Sequence, residues 1–223
     1  MSTNSKQVSS TQQDCHPRLD ETVRKHLASE NLRPPAIHTR NAFDQHYELA
    51  EHYPGGLVFD SFCGTGMSTA RLAGAHPDCL VIGIDKSGHR LARHQAGGSD
   101  NYRLAKADCG DFWRLALDAG WRLRHHYLLY PNPWPKPGHL QRRVHGSPEL
   151  ANLLALGGTI ELRTNWHIYA REFSQALAIA GYTPELAQLT PAEPISLFES
   201  KYLDSGHQLW RCWCKLSDNE GHE

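Results

Sequence analysis

The stretch LVFDSFCGTGMSTARL, Leu57 to Leu72, decides the fold. It contains a short run typical of a β-strand, then Asp60, then Gly64-Thr65-Gly66, and then the first turns of a helix. Two glycines separated by one residue let the backbone turn steeply into a helix and pass close to a ligand. An open parallel sheet binds its ligand beyond the carboxyl ends of its strands. The stretch therefore predicts the first strand-to-helix unit of an α/β domain, with a ligand site at the turn.

Strand and helix signals alternate along the rest of the chain. Apolar and β-branched runs predict strands at 57–59, 79–84, 102–105, 127–130 and 159–163, and helices are expected at 68–75, 87–95 and 148–156. A further helix is expected from Trp166, because its apolar residues recur at the 3.6-residue period: Tyr169, Phe173, Ala176, Leu177 and Ala180. This alternation implies an α/β fold with a doubly wound, mostly parallel, Rossmann-like sheet.

A late strand is expected to close the edge of this sheet in antiparallel orientation. One face of it carries Trp210, Cys212, Cys214 and Leu216. Cys212 and Cys214 could in principle hold a metal, but packing as small apolar groups is favoured, and no metal is expected. None of the six cysteines belongs to a C-x-x-C motif, so reduced thiols are expected.

The composition predicts four segments. Residues 1–16 are mostly polar with little to bury, which predicts a disordered tail. Residues 17–54 are expected to lie over the core, with a helix at about 20–30 that ends before Pro34-Pro35. The ligand-binding domain is expected at 55–217, followed by a short tail at 218–223.

Bulk composition excludes several classes of protein. No apolar run approaches the roughly 18 residues that cross a bilayer, and the amino terminus lacks a cleavage signature, so a cytoplasmic protein without a membrane partner is expected. The net charge of −1 argues against binding nucleic acid through an overall positive field, although a local basic patch can still bind phosphate. A monomer is expected, with a homodimer as the alternative.

Carboxylates follow the next two strands. Asp85 ends the run VIGID, where it could accept both hydroxyl protons of a ribose, and Asp108 follows the third strand, where it suits an adenine amino group. Each could instead cap the helix that follows it. Thr69 stands where a dinucleotide fingerprint has its third glycine, which weakens a nicotinamide interpretation. Together with the glycine turn, the two carboxylates favour a nucleoside ligand.

The stretch YPNPWPKPGHLQRRVHG, Tyr130 to Gly146, follows the fourth predicted strand. Its four prolines stiffen the backbone, and it combines one tryptophan with several basic side chains. A stiff, aromatic and basic loop at a strand end favours binding of a base and of phosphates over a merely solvated charge run.

These motifs resemble a known family. D-x-F-C-G-T-G, then G-I-D and A-D, resemble the S-adenosylmethionine-binding half of class I methyltransferases. YPNPWPKPGHLQRR is similar to the signature Phe-Pro-Asp-Pro-Trp-Pro-Lys-Lys-Arg-His-x-Lys-Arg-Arg of the tRNA (guanine-N7)-methyltransferase family. LRTNWHIYA is similar to that family's Thr-Asp-x-x-x-Tyr element, and SLFESKY to its Thr-x-Tyr/Phe-Glu-x-Lys/Arg element. The resemblance covers roughly Gly55 to Leu216.

The resemblance implies a class I methyltransferase fold, S-adenosylmethionine as cofactor, tRNA or another structured RNA as partner, and a role for each matching residue. The cofactor would be held by Asp60, Gly64, Gly66, Asp85, Asp108 and Tyr130. RNA would be bound by Trp134, Lys136, His139, Arg142, Arg143 and Ser196. The catalytic residues would be Asn132, Asn165 and Glu199.

Two departures from the signature affect the chemistry, because Asn132 and Asn165 stand where the family has aspartate. Guanine N7 has a lone pair and no proton to remove, so the enzyme need only orient the base and stabilise the cation formed on it. A carboxylate about 4 Å away would supply on the order of 4 kcal/mol at an effective dielectric near 20. Asparagine keeps one acceptor and turns the other into a donor, so the identity of the base stays open.

Three alternatives to guanine-N7 transfer remain. A methyltransferase acting on exocyclic amines is one, since PNPW is similar to the Asn-Pro-Pro-Trp-like loops of those enzymes. A cofactor-binding or tRNA-binding module with weakened catalysis is another. A nicotinamide-dependent oxidoreductase has only Gly64 and Gly66 in its favour.

Overall fold

The structure, a computed structural model, describes residues 5–29, 33–50 and 52–216. The α-helices are α1 Leu19–Leu27, α2 Ile37–Ala50, α3 Met67–Ala75, α4 Gly88–Leu91, α5 Cys109–Asp118, α6 Leu150–Ala155, α7 His167–Ile179 and α8 Leu197–Asp204. The strands are β1 Leu57–Ser61, β2 Leu80–Asp85, β3 Tyr102–Lys106, β4 Leu123–Leu129, β5 Thr159–Thr164, β6 Glu185–Leu189 and β7 Leu209–Lys215. Two short 3₁₀ helices span Pro137–Arg142 and Val144–Gly146. The tail expected at 218–223 lies outside the described residues.

The strands form one sheet in the order β3-β2-β1-β4-β5-β7-β6. β1 pairs in parallel with β2 and β4, and β2 pairs in parallel with β3, whereas β6 and β7 are antiparallel. The predicted mostly parallel sheet with an antiparallel carboxyl-terminal part is confirmed. The edge itself was assigned to the wrong strand: β6 lies there, and β7 lies between β5 and β6. The sequence ELAQL of β6 contains no β-branched or aromatic residue, so its strand signal is weak.

The chain divides into two compact units that interleave along the sequence. The proline-loop unit takes its described residues from Met1–Leu32, Tyr130–Ala151 and Glu161–Lys215. The glycine-turn unit takes its described residues from Arg33–Leu129, Asn152–Ile160 and Leu216–Glu223. The boundaries expected at 16, 54 and 217 therefore differ from this division, in which α1 and α2 belong to different units.

The core of the glycine-turn unit is built on β1 and β2, whose residues are all buried. Phe112 of α5 packs edge-on against Phe59, with ring centroids 5.6 Å apart. Phe43 of α2 packs against the same Phe112 ring, at 5.2 Å, and against Trp121 at 4.8 Å. These aromatic contacts explain why α2 forms, although its sequence gives little amphipathic signal.

The core of the proline-loop unit is built on α7. Tyr169, Phe173, Ala176 and Leu177 are fully buried, as the periodicity predicts, and α7 packs on β7 and α1. Cys212 and Cys214 of β7 are also fully buried, and burial raises the pKa of the Cys212 thiol to about 12. The two side chains therefore pack as small apolar groups.

Residues 5–16 differ from the expected disordered tail. They form no helix or strand, but hydrogen bonds attach them to the rest of the proline-loop unit. The backbone N–H of Ser5 donates to Ser205 Oγ at 2.8 Å, Ser10 donates to the carbonyl of Pro135, and Gln12 Nε2 donates to Glu172 Oε1 at 2.7 Å. Polar residues with little apolar surface to bury are ordered here by these bonds. No helix among the described residues is long and apolar enough to span a membrane.

Candidate functional site

The turn after β1 requires its glycines. Phe62, Gly64 and Gly66 all have positive φ, at 65°, 63° and 76°, a region that glycine enters without steric cost. Gly66 is the N-cap of α3, and a Cβ there would collide with Leu104. The turn is thus narrow and places backbone close to any ligand beyond the end of β1.

Asp60 lies in β1 directly before this turn and is completely buried. Its Oδ2 accepts hydrogen bonds from Ser68 Oγ at 2.6 Å and Thr69 Oγ1 at 2.7 Å, whereas its Oδ1 is buried without a partner among the described residues. Burial outweighs the two hydroxyl hydrogen bonds and raises the pKa of Asp60 to about 6. An unpaired buried acceptor is costly, so Oδ1 is suited to a donor group supplied by a ligand.

Thr69 occupies the position of the third glycine of a dinucleotide fingerprint, and the structure shows what replaces that glycine. A Cβ at Gly83 of β2 would overlap the hydroxyl and methyl groups of Thr69. Helix α3 and strand β2 therefore still approach closely, but the glycine that permits this is Gly83 of the strand and not a residue of the helix. Ser68, Thr69 and Gly83 were missed as site residues; a glycine inside a buried strand was the available signal.

Asp85 braces the glycine turn from β2. Its Oδ2 accepts from the backbone N–H of Gly64 at 3.0 Å, and its Oδ1 accepts from Ser87 N at 2.7 Å and from Arg90 Nη2 at 2.9 Å. The cap of α4 is Ser87, so the capping alternative for Asp85 is wrong. Each carboxylate oxygen has further acceptor capacity, which leaves a ribose contact chemically feasible.

Asp108 does cap a helix. Its side chain accepts from the backbone N–H of Asp111 at 3.3 Å at the start of α5, and its own N–H donates to Thr39 Oγ1 at 3.2 Å. The capping alternative is confirmed for this residue. Asp108 is half-buried, so the cap fixes its position at the end of β3 without covering it.

The proline loop presents an aromatic ring flanked by cations. Trp134 is half-buried with a φ of 45°, and its backbone N–H donates to Asn132 Oδ1 at 3.4 Å. The guanidinium of Arg142 lies 4.9 Å from the centre of its ring, and His139 packs edge-on at 5.5 Å. Burial and the neighbouring Arg142 lower the pKa of His139, so it acts as a neutral donor. Lys136 and Arg142 are exposed, as contact with a phosphate requires.

Arg143 corrects the expectation of a phosphate contact. Its side chain is completely buried and forms an ion pair with Glu172. It also donates to Gln12 Oε1 at 2.9 Å and to the carbonyl of Trp134 at 3.2 and 3.3 Å. In this position Arg143 holds the proline loop in shape and does not reach an RNA backbone.

Glu172 of α7 is the centre of that buried network and was not anticipated. It accepts hydrogen bonds from Gln12 Nε2 at 2.7 Å, from the backbone N–H of His16 at 2.8 Å, from His145 Nε2 at 2.9 Å and from Arg143. Burial alone would raise the pKa of Glu172, but His145 and Arg143 lower it to about 2. Burial lowers the pKa of His145, so this ring is a neutral donor and Arg143 supplies the compensating charge.

Glu199 and Ser196 form the start of α8. Ser196 Oγ accepts from the N–H of Glu199 at 3.1 Å, as in a capping box. Glu199 is fully buried and accepts from Tyr130 Oη at 2.7 Å, from Arg163 Nη1 at 3.1 Å and from the N–H of Ile195 at 2.6 Å. Burial and the bond to Glu199 raise the pKa of Tyr130. Glu199 thus positions Tyr130 and Arg163, and both of its oxygens already accept hydrogen bonds from the protein.

Asn165, after β5, is half-buried and held by one partner. Its Nδ2 lies 3.0 Å from His207 Nδ1, and His207 Nε2 lies 2.9 Å from the carbonyl oxygen of Ser5. Because a carbonyl only accepts, Nε2 donates to Ser5, and Nδ1 accepts from the Asn165 amide. The Oδ1 of Asn165 is therefore left as an acceptor.

Comparisons with known proteins agree with this architecture. The family model described as "Putative methyltransferase" matches residues 56–212. A protein of Treponema pallidum named tRNA (guanine-N(7)-)-methyltransferase is 31% identical over 167 residues, which are 70% of this chain and 65% of that protein. A protein of Pseudoalteromonas atlantica with the same name is 30% identical over 168 residues, 69% of this chain and 70% of that protein. The match thus spans slightly less than two thirds of the Treponema relative.

Solved structures share the fold. The 16S rRNA methyltransferase KamB superposes with a TM-score of 0.59 at 19% identity, covering 78% of this chain and 94% of that one. A structure described as an antibiotic related methyltransferase has a TM-score of 0.56 at 16% identity, covering 85% and 97%. At these identities the likeness shows a class I methyltransferase fold.

Proposed function

The chain belongs to the tRNA (guanine-N7)-methyltransferase family, and we propose that it transfers a methyl group from S-adenosylmethionine to N7 of a guanine in tRNA. The observation that carries this proposal is the buried, unpartnered Oδ1 of Asp60 beside the glycine turn. A scaffold carboxylate would be fully hydrogen-bonded. A carboxylate at the end of the first strand that has hydrogen bonds on one oxygen and not on the other is suited to a ligand with a donor group.

S-adenosylmethionine fits the residues around the turn, and when bound it supplies a methyl group on a positively charged sulfur. Asp60 Oδ1 suits its ammonium group. Gly64 and Gly66 let the backbone approach it, and the braced carboxylate of Asp85 suits the ribose hydroxyls. Asp108, held at the start of α5, suits the adenine amino group. Tyr130 is proposed to contact the cofactor through its ring or backbone, because its hydroxyl is bonded to Glu199.

The two asparagines are proposed to read the base. Asn132 uses its Oδ1 for the N–H of Trp134, so it offers amide donors, whereas Asn165 uses an amide donor for His207, so it offers an acceptor. Guanine presents the acceptor O6 beside the donors N1–H and N2–H. A donor from Asn132 and an acceptor from Asn165 are complementary to this edge and leave N7 free. Neither residue needs to remove a proton, because N7 attacks with a lone pair.

The remaining loop residues are proposed to hold the nucleotide in place. Trp134 offers a ring face for stacking, and Lys136, His139 and Arg142 offer donors to phosphates. Ser196 and Glu199 are proposed to act through positioning, since Ser196 caps α8 and Glu199 holds Tyr130 and Arg163. The exocyclic-amine alternative remains a second candidate, because Asn132 Oδ1 accepts one hydrogen bond, from the Trp134 N–H at 3.4 Å, and keeps a second lone pair for an amine.

The test is transfer of labelled methyl from S-adenosylmethionine to unmodified tRNA by the full chain, followed by mass spectrometry of the nucleosides. We expect 7-methylguanosine. A methylated exocyclic amine would establish the alternative specificity. Calorimetric binding of S-adenosylmethionine without any transfer would support a binding module, particularly if Asn132→Asp with Asn165→Asp created activity.

A further inference from the structure

A pocket of about 460 Å³ lies in the proline-loop unit between the residues that lead into α1 and the first 3₁₀ helix, Pro137–Arg142. Its volume is within the range of roughly 300–1,000 Å³ that small-molecule sites occupy. From the first side it is lined by His16, Arg18 and Thr22, and from the second by residues that include Gly138, Gln141 and Arg142. None of the site residues expected from the sequence lies on its first side.

The polar groups of this pocket are predominantly hydrogen-bond donors. Arg18 and Arg142 are exposed cations, and none of the described residues that line the pocket is an aspartate or glutamate. His16 Nδ1 accepts from the backbone N–H of Arg18 at 3.1 Å, so the ring proton lies on Nε2, which can donate. Two guanidinium groups and an imidazole N–H donor form an arrangement that suits an anion with several oxygen atoms.

Arg18 of the pocket has a carboxylate partner, but the pair is exposed. Glu21 pairs with Arg18 at 3.2 Å, but both side chains are about two thirds exposed, at 67% and 69%. A surface pair of this kind contributes little to stability, and a phosphate can replace the carboxylate. The pair therefore leaves Arg18 available to a phosphate.

The charge of the neighbouring loop indicates why Arg18 matters. Pro137 and Gly138 stand where the family signature has basic residues, and Arg143 is buried against Glu172. Lys136 and Arg142 are then the exposed cations of the described loop. Arg18 lines the same pocket as Pro137 and Gly138, so it supplies a cation from a different part of the chain.

We propose that this pocket binds a backbone phosphate of RNA, held by Arg18 and Arg142 with His16 Nε2 as a further donor. The identity of the ligand rests on the proposed function. The guanidinium of Arg142 also lies over the ring of Trp134, 4.9 Å from its centre, so the phosphate would be next to the surface on which the base is proposed to stack.

The test compares two arginines of the same helical region in the full chain. Arg18→Gln removes the pocket cation, whereas Arg24→Gln is a matched control: Arg24 is 64% exposed, pairs with Asp20 at 2.8 Å, and does not line the pocket. Affinity for unmodified tRNA is measured over a range of salt concentrations. We expect Arg18→Gln to weaken binding about fivefold and to reduce the salt slope by about one, with Arg24→Gln unchanged.

A rescue variant separates loss of charge from loss of structure. A Cβ at Gly138 meets no atom within 4 Å and Gly138 is exposed, so Gly138→Arg is the substitution chosen to return a cation to the pocket. In the Arg18→Gln background it is expected to restore tRNA affinity and the salt slope. Equal tRNA affinities and salt slopes for Arg18→Gln and Arg24→Gln would overturn the proposal.

The source of the phosphate and the proposed function are tested separately. Inorganic phosphate at the same ionic strength is added as competitor: if it displaces tRNA from the wild type more effectively than from Arg18→Gln, RNA occupies the pocket as proposed. If calorimetry shows Arg18-dependent phosphate binding that leaves the tRNA affinity unchanged, the pocket binds free phosphate, and the RNA assignment is overturned. The affinity measurement does not depend on methyl transfer. If the protein methylates no tRNA but Arg18→Gln still weakens tRNA binding, the pocket proposal stands and the proposed activity fails. If Arg18→Gln and Arg24→Gln both methylate tRNA and bind it with equal affinity, the proposed activity stands and the pocket assignment fails.

Discussion

Asp60 in the glycine-turn unit and Glu172 in the proline-loop unit are both completely buried carboxylates, yet their surroundings differ. Asp60 receives two hydroxyl hydrogen bonds on one oxygen and none from the described residues on the other, and burial raises its pKa to about 6. Glu172 has donors on both oxygens and a buried arginine, and its pKa falls to about 2. Equal burial thus produces opposite shifts, because a neighbouring positive charge decides the sign.

This difference separates a ligand site from a scaffold. Glu172 is satisfied by the protein itself and joins residues 5–16, the proline loop and α7 into one unit. No residue in the described part of the chain donates to Asp60 Oδ1, so this acceptor is suited to an additional molecule. A carboxylate-to-amide change at each position should therefore affect a different property, which is stability at Glu172 and cofactor affinity at Asp60.

The largest effect is expected for Glu172→Gln. The substitution leaves the guanidinium of Arg143 buried without its counter-ion, and removing one partner of a buried pair costs about 3–5 kcal/mol. Urea unfolding measures the free energy of unfolding directly. Glu185→Gln in β6 is the control, because an exposed carboxylate should change stability by less than about 0.5 kcal/mol. Similar stabilities for the two variants would remove the distinction drawn between the carboxylates.

The pH dependence of stability should have opposite signs at the two residues. The folded pKa of Asp60 is raised from 3.8 to about 6, so its contribution is complete below pH 3.8 and is lost as the pH rises through about 6. The folded pKa of Glu172 is lowered from 4.5 to about 2, so its contribution is complete above pH 4.5 and is lost as the pH falls through about 2. Each shift corresponds to about 3 kcal/mol.

Urea unfolding between pH 2 and pH 8 resolves the two contributions, with the wild type compared with Asp60→Asn and Glu172→Gln. As the pH rises from about 4 to about 7, the wild type should lose stability relative to Asp60→Asn, because only the wild type ionises a carboxylate there. A constant difference between these two proteins would contradict the raised pKa of Asp60.

Cofactor affinity should depend on Asp60 and not on an exposed carboxylate of the same unit that has no proposed cofactor role. Asp60→Asn replaces a charge-assisted contact to the ammonium group, which should weaken S-adenosylmethionine binding about tenfold to hundredfold. Asp78→Asn is the control, because Asp78 is exposed and pairs with Arg124 at 2.8 Å. Calorimetric titration measures both. An unchanged affinity for Asp60→Asn would assign its free oxygen to some other group.

The sequence predicts the site around Asp60 well. Asp60, Gly64 and Gly66 belong to one short strand-to-helix turn, so their spacing alone indicates their arrangement, and the stripe of α7 follows from a local period. The Glu172 network could not be predicted, because Gln12 and His16 reach Glu172 across 160 and 156 residues of sequence. Arg143 was misassigned for the same reason: an arginine in a basic loop looks exposed until its distant partner is known.

Asn165 provides a smaller instance of the pattern found at Asp60, with one polar atom held by the protein and the other left for a ligand. His207 accepts from its amide, so Oδ1 faces away from that bond as the acceptor proposed for guanine. His207→Leu removes the acceptor, which frees the amide to rotate and should lower kcat about fivefold, roughly the value of one neutral hydrogen bond. His207→Gln offers a carbonyl in its place and should recover part of kcat. S-adenosylmethionine affinity should not change in either variant, which separates an effect on the base from a disturbed fold. If His207→Leu and His207→Gln gave the same kcat, the acceptor on His207 would not be what orients Asn165. The assignment of Asn165 as the acceptor for guanine would then lose its support.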